Sequence, residues 1–345
     1  MSPAPSEEGL VAWLRTLTAR AGFGRSRGAQ IGDDAATLPN GAVVTVDQQI
    51  AGVHFPAGLA PAVVARRLLA VNLSDIAASG ARPRFAFLAL AAPPGFDHRS
   101  FFRALVRACA EYGVELAGGD LAIAKELHLS LTLIGDRPPG AATLARDQAR
   151  PGQRLWVGGT LGESALGCEL VRRGARSRGT RVVLPAFSSV KGKLRTAAAL
   201  AVRRHLIPSP QLELGRWLAG RGRGAGVAAI DVSDGLAKDL HRICAASGVG
   251  ARLDGSALTA AMPPHLAQLS AHLDLDASRL VEGGGEDYVL LFTLPKALAP
   301  PRRFHALAIG AITKEKGVFV EDSAAAPERR RRRLDASGWD HFRRR

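Results

Sequence analysis

Val227-Ala228-Ala229-Ile230-Asp231-Val232-Ser233-Asp234-Gly235-Leu236-Ala237-Lys238-Asp239-Leu240 decides how the chain is read. The apolar run Val227–Ile230 predicts a short buried strand, and Leu236, Leu240 and Ile243 recur on one face of a following helix. Asp231 and Asp234 therefore sit where a strand hands over to a helix. In α/β architectures, ligands gather outside the carboxyl ends of strands. Two carboxylates flanking the Ser233 hydroxyl are hard oxygen donors suited to Mg²⁺. A plainer reading makes Asp234 a helix cap and Asp231 a turn residue. Recurrence of the pattern along the chain decides between the two.

Ile31-Gly32-Asp33-Asp34 follows a helix expected over residues 6–21, capped by Ser6 and striped by Leu10, Leu14 and Leu17. Adjacent carboxylates repel and gain from a nearby cation. A strand over Ala42–Asp47 ends on another acid, with Thr45 two residues before it. The helix expected over Pro61–Ser79 carries the stripe Val64, Leu68 and Val71. Eleven residues at ~100° each bring Asp75 back to within about 20° of Val64. Asp75 thus falls on the buried stripe, where a carboxylate is costly unless it is paired or binds a metal. A strand over residues 114–117 runs into Gly118-Gly119-Asp120, whose glycines let a ligand approach closely. Leu127–Leu133 alternates as a half-buried strand does.

Residues 136–153, rich in Pro, Gly and Arg and containing Arg146, read as a junction. They divide an N-terminal half, residues 1–140, from a C-terminal half, residues 150–345. In the second half Glu282-Gly283-Gly284-Gly285-Glu286-Asp287-Tyr288 again mixes glycines with carboxylates before a strand over Val289–Leu294. Residues 322–333 read as an arginine-rich loop. His54 is open to a core, surface or substrate role, and Trp339 to a docking role.

The chain has 345 residues, 47% hydrophobic and 22% charged, as expected of a folded two-domain protein. No apolar run approaches the ~18 residues that span a membrane. The acidic N-terminus lacks the apolar core of a signal peptide. Cys109, Cys168 and Cys244 are odd in number and far apart, which suits reduced thiols in the cytoplasm. The net charge of +15 comes mainly from arginine, with Arg329–Arg333 and Arg343–Arg345 near the end. No zinc-finger spacing or aromatic RNA-binding motif accompanies it, so a basic surface that attracts anionic substrates is favoured over nucleic-acid binding.

Asp34, Asp47, Asp75, Asp120, Asp231 and Asp234 come from both halves, and no set of lysines stands ready to neutralise them. Converged, they require several Mg²⁺ ions, which bind through a few carboxylates plus substrate phosphates. A polyphosphate handled in a cleft is the expected chemistry. The phosphate loop Gly-x-x-x-x-Gly-Lys-Ser/Thr and the protein-kinase motif set are both missing.

The ordered set Gly32-Asp33-Asp34-Ala35, Asp47 with Ala51-Gly52-Val53-His54-Phe55, Ala70-Val71-Asn72-Leu73-Ser74-Asp75, Gly118-Gly119-Asp120, Arg146, Ile230–Leu236, Gly284-Gly285-Glu286-Asp287-Tyr288 and Trp339-Asp340-His341-Phe342 resembles thiamine-monophosphate kinases. That family belongs to a superfamily with aminoimidazole ribonucleotide synthetase. The resemblance implies an α/β (α+β) fold of two domains, with N-terminal halves forming a β-barrel at a homodimer interface. It implies ATP-dependent phosphorylation of thiamine monophosphate to thiamine diphosphate. It assigns Mg²⁺ to Asp34, Thr45, Asp47, Asp75, Asp120, Asp231 and Asp234, ATP to Gly119, Asp120, Arg146 and Ser233, and the thiamine substrate to His54, Glu286 and Trp339.

The chain departs from the family pattern at Val46, Leu121, Val289 and Gln211. These departures leave room for a related ATP-dependent enzyme with another phosphorylated acceptor. A non-catalytic nucleotide-binding relative is the other alternative.

Overall fold

The computed structural model describes residues 6–22, 31–178, 181–221, 226–322 and 330–340. Helix α1 (Glu7–Arg20) starts where expected, with Ser6 Oγ accepting from the Gly9 amide at 3.1 Å. It buries no side chain, and its apolar residues Trp13 and Leu17 face solvent.

The first sheet comprises β1 (Ala36–Thr37), β2 (Ala42–Ile50), β3 (Arg82–Ala92), β4 (Glu115–Ile123) and β5 (His128–Asp136), ordered β1-β2-β5-β3-β4. All neighbours are antiparallel except β3 and β4. Helices α2 (Pro61–Ala78) and α3 (His98–Tyr112) pack on the face carrying Leu129, Leu131 and Leu133. Two strands run further than the sequence suggests. β2 continues past Asp47 to Ile50, and β4 continues through Gly118-Gly119-Asp120 to Ile123. Asp47 and Asp120 therefore lie within strands, not at their ends. Parallel pairing with β3 supplies β4 with backbone partners regardless of side chain. The absence of a Cβ at Gly119 is required there, since one would lie 1.9 Å from the Leu88 carbonyl oxygen.

After the junction come β6 (Arg154–Val157), α4 (Glu163–Arg172), the hairpin β7 (Arg176–Arg178) and β8 (Arg181–Val183), α5 (Gly192–Leu206) and α6 (Leu212–Arg221). The deciding stretch gives β9 (Ala229–Asp231) and α7 (Leu236–Ser247). There follow β10 (Gly250–Asp254), three short helices α8 (Gly255–Ala260), α9 (Leu266–His272) and α10 (Ala277–Gly283), then β11 (Leu290–Leu294), β12 (Leu307–Thr313), β13 (Gly317–Glu321) and β14 (Arg331–Arg333). The second sheet is ordered β14-β13-β10-β12-β6-β11-β9. Arg331–Arg333 thus form an edge strand where a loop was expected, because β13 offers them an unpaired edge. Arg331 also lies over the Phe319 ring, 3.9 Å from its centroid.

Helix α2 joins the halves. Pro61 at its start and an alanine-rich sequence favour the helix, and all but a few of its residues are buried. It packs on β2 of the first sheet and on β9 and α6 of the second half. Contact with α6 is backbone-close: a Cβ on Gly215 would lie 2.0 Å from the Ala77 carbonyl oxygen. Cores of both halves draw residues from α2, including Val63, Leu68 and Ala77.

Candidate active site

Carboxylates from three elements meet beside α2. One oxygen from each of Asp34, Asp75 and Asp231 lies within 4.8 Å of the others. Asp34 comes from the turn before β1, Asp75 from the last turn of α2 and Asp231 from the end of β9. The cluster thus spans both halves. The Thr45 hydroxyl donates to Asp75 Oδ2 at 2.6 Å, fixing that carboxylate from β2. Asn72, one turn before Asp75 on α2, accepts the Asp47 amide with its Oδ1 at 3.2 Å.

Burial dominates the electrostatics. It pushes the Asp75 and Asp231 carboxyls well above the ordinary range, and neighbouring acids push them further: Asp47 and Asp231 on Asp75, Asp34 on Asp231. Asp47 rises to about 6 by burial and the charge of Asp34, with Arg67 pulling the other way. Asp33 rises to about 7 for the same reasons, burial first and Asp34 second. Acids held this way are waiting for positive charge. Asp231 Oδ2 is buried with no hydrogen-bond partner among the described residues. An all-oxygen donor set with a buried orphan oxygen fits a hard cation such as Mg²⁺.

Arginine already supplies part of the charge. Arg146, from the junction, places Nη2 2.6 Å from Asp34 Oδ1 and donates Nη1 to the Gly32 carbonyl at 2.8 Å. Its Nε lies 3.7 Å from Asp33 Oδ1. Asp234 lies three residues beyond Asp231, in the bend before α7, and is held by two cations of α7 (Lys238 Nζ at 2.8 Å and Arg242 Nη2 at 2.7 Å, both to Oδ2). The sequence offered no set of lysines to neutralise the acids; for Asp234 a single lysine, Lys238, and an arginine, Arg242, do so. Their spacing of four and eight residues from Asp234 was the available signal. Asp239, fully buried, accepts the Asp234 and Gly235 amides at 3.1 Å each and pairs with Arg242 at 2.8 Å.

Glu286 adjoins the strand-to-helix turn. Its amide donates to the Ser233 carbonyl at 2.7 Å, and the Tyr288 amide donates to the Val232 carbonyl at 2.9 Å. A Cβ on Gly285 would lie 2.6 Å from the Ser233 carbonyl oxygen, so this loop can seat against the turn only as glycine. The Glu286 carboxylate is bound by Arg67 through Oε1 and by His205 Nδ1 at 3.1 Å through Oε2. Burial opposes its charge, but Arg67 and His205 outweigh it and lower the carboxyl to about 2. The Trp339 amide donates to the Asp234 carbonyl at 3.0 Å, and its own carbonyl accepts from Lys238. His54 Nδ1 accepts the Ile50 amide at 3.0 Å.

Asp120 and Gly119 stand apart from the Asp34–Asp75–Asp231 cluster, exposed on the edge strand β4. Among the departures, Val46 and Leu121 are exposed and Val289 is buried in the core. Gln211 accepts the Leu290 amide at 2.8 Å and donates to the Gly158 carbonyl, tying α6 to the second sheet. His341 and Phe342 lie outside the described residues, as do Arg329 and Arg343–Arg345. The described cysteines are all free thiols, and no helix among the described residues is long and apolar enough to cross a membrane.

Comparison with known proteins gives a consistent neighbourhood. The family model of the AIR synthase related protein N-terminal domain matches residues 32–136. The thiamine-monophosphate kinase of Caulobacter vibrioides is 34% identical over 320 residues, spanning 90% of this chain and 84% of that protein. That of Escherichia coli K12 is 36% identical over 336 residues, spanning 90% and 91%. The solved structure of AaThiL complexed with AMPPCP and TMP aligns with TM-score 0.78 at 26% identity, covering 98% of this chain and 97% of that one. Thiamine-monophosphate kinase from Stenotrophomonas maltophilia K279a aligns with TM-score 0.67 at 33% identity, covering 91% and 97%.

Proposed function

The chain belongs to the thiamine-monophosphate kinase family, and from that premise we propose that it transfers the γ-phosphoryl group of ATP to thiamine monophosphate, giving thiamine diphosphate and ADP. The observation that carries this reading is the convergence of Asp34, Asp75 and Asp231 oxygens within 4.8 Å, beside the helix that joins the halves. Such a cluster serves a substrate with many phosphate oxygens.

The acceptor is a phosphate oxygen, ionised at neutral pH, so no side chain has to remove a proton. One bond breaks, between the γ-phosphorus and the oxygen that leaves with ADP. One bond forms, between that phosphorus and the acceptor oxygen. The obstacle is repulsion between two polyanions. Mg²⁺ ions held by Asp34, Thr45, Asp47, Asp75, Asp231 and Asp234, and by Asp120 apart from the cluster on β4, would neutralise that charge and stabilise the in-line transition state. The protein's part is to position. Gly119 and Asp120 on β4, Ser233 in the turn and Arg146 from the junction are assigned to the nucleotide. Arg146 offers a planar fork for a charge-assisted bond to phosphate. His54, Glu286 and Trp339 are assigned to the thiamine moiety, where an indole ring suits a cationic thiazolium.

We further assign residues 1–140 to a domain for dimerisation and nucleotide binding, and 150–345 to a domain that completes the site. In the assembly, open sheets of two N-terminal halves would close into a barrel, giving a homodimer in the cytoplasm.

The test is chromatographic separation of thiamine phosphates after incubation with ATP and Mg²⁺, with and without chelator. Thiamine diphosphate appearing only with Mg²⁺ is the expected result. No product, with Mg²⁺-dependent ATP binding intact, would overturn the acceptor and leave the nucleotide site standing.

A further inference from the structure

Arg67 is among the largest fully buried side chains described, at 1% exposure. It sits on α2 in the first half, and each of its donor nitrogens is engaged. Nε donates to Gln49 Oε1 of β2 at 3.0 Å. Nη1 donates to the His205 carbonyl at the end of α5, and Nη2 to Glu286 Oε1. Two of its three partners belong to the second half, so one guanidinium spans the junction of the halves.

Glu286 is built differently. Its side chain keeps 28% exposure although two of its carboxylate contacts are internal. A carboxylate offers about four lone-pair sites, so acceptor capacity remains on the open side. The residue also has φ +66°, as Tyr288 has φ +50°, in the left-handed region that non-glycine residues rarely adopt. A loop in that conformation persists only where its surroundings hold it. The anchors are the Ser233 and Val232 carbonyls on one side and Arg67 on the other.

We propose that Arg67 is the positioning residue for the acceptor substrate: by clamping Glu286 and His205 to α2 it fixes the open lone pairs of Glu286 toward an amino-heterocycle donor. This rests on the thiamine-monophosphate reading above. Arg67 itself touches no substrate. Lysine in its place would keep the charge but lose the three-way fork that meets Gln49, His205 and Glu286 together.

The experiment is calorimetric titration of thiamine monophosphate, and separately of AMPPCP with Mg²⁺, into wild type, Arg67→Lys, Arg67→Met, Glu286→Gln and Arg67→Met/Glu286→Gln. Steady-state kinetics accompany it. Arg67→Met should weaken thiamine monophosphate binding and raise its KM by about tenfold or more, leaving AMPPCP affinity at saturating Mg²⁺ within about twofold. Arg67→Lys should recover part of the loss. The double variant should bind thiamine monophosphate no worse than Glu286→Gln alone, because Arg67 acts through Glu286.

Equal losses for both ligands, or additive losses in the double variant, would mean a general structural role and overturn the proposal. Should Arg67→Met not fold, the double variant, which removes the Glu286 charge together with its guanidinium partner, carries the comparison. Failure of wild type to bind thiamine monophosphate would instead sink the substrate reading. Binding by wild type with no change in Arg67→Met would sink only the clamp.

Discussion

Arg242 Nη2 stands 2.7 Å from Asp234 Oδ2, and Lys238 Nζ reaches the same oxygen at 2.8 Å. One carboxylate oxygen thus carries two cations, both from α7 and neither more than 18% exposed. For Asp234 to serve a metal, it must exchange these partners. Arg242 and Mg²⁺ are then competitors.

Replacing Arg242 with leucine should accordingly lower the Mg²⁺ concentration for half-maximal activity. Removing a partly exposed ion pair worth about 1 kcal/mol predicts a shift of about fivefold. A Mg²⁺ titration at saturating ATP reads it directly. An unchanged midpoint would take Asp234 out of the metal set.

Asp75→Asn and Asp231→Asn should separate activity from stability. Turnover should fall by about a hundredfold or more, since each removes a charge that would hold metal against the transferring phosphate. The same changes should raise the melting temperature of chelator-treated protein. Burial and neighbouring acids push both carboxyls well above their ordinary range, so the uncharged amide relieves repulsion that the wild type carries. Melting curves in chelator and turnover assays in Mg²⁺ together decide; a variant that loses stability and keeps activity would contradict both halves of the argument.

These raised carboxyls also fix the pH dependence. Burial lifts Asp33, Asp239 and Asp287 to about 7 and Asp47 to about 6, with adjacent acids contributing at Asp33, Asp47 and Asp239. A carboxyl raised on folding holds its proton longer in the folded state, so its contribution is full below the unfolded value and lost as pH rises through the folded one. Glu286 has the opposite sign. Lowered to about 2, it contributes above its unfolded value, and that contribution is lost only as pH falls toward 2. Chelator-treated protein should therefore lose melting temperature between about pH 4 and pH 7. Added Mg²⁺ should restore it near pH 7 and do little near pH 4. A melting temperature that climbs with pH across this window without metal would reject the argument.

The parts legible in the sequence were those that periodicity controls. The α2 stripe placed Asp75 on a buried face, and an apolar run ending in Asp231 gave the β9-to-α7 turn. Both reach the cluster. What pairing controls was not legible. Gly118-Gly119-Asp120 reads as the end of a strand because glycine is a poor strand former, yet pairing with β3 carries β4 through it to Ile123. Arg331–Arg333 reads as solvated charge, yet β13 makes it a strand. Arg67 was hidden for a third reason. It lies next to Leu68 on a mostly apolar helix, and its partners Gln49, His205 and Glu286 are distant in sequence.

The exposed apolar residues of the first half bear on assembly. Leu121 and Ile123 on edge strand β4 are 62% and 84% exposed, and Val46, Phe85 and Phe87 on β2 and β3 are exposed as well. An open edge carrying such residues invites pairing with a second copy. Leu121→Glu/Ile123→Glu should convert a wild-type dimer to monomer at micromolar concentration, read by sedimentation velocity. Gly119 and Asp120 lie on the same strand, so if they contact ATP the monomer should also bind AMPPCP more weakly, by about tenfold. Wild type that sediments as a monomer would remove the barrel. A monomeric variant with undiminished AMPPCP affinity would leave the barrel and take nucleotide binding away from β4.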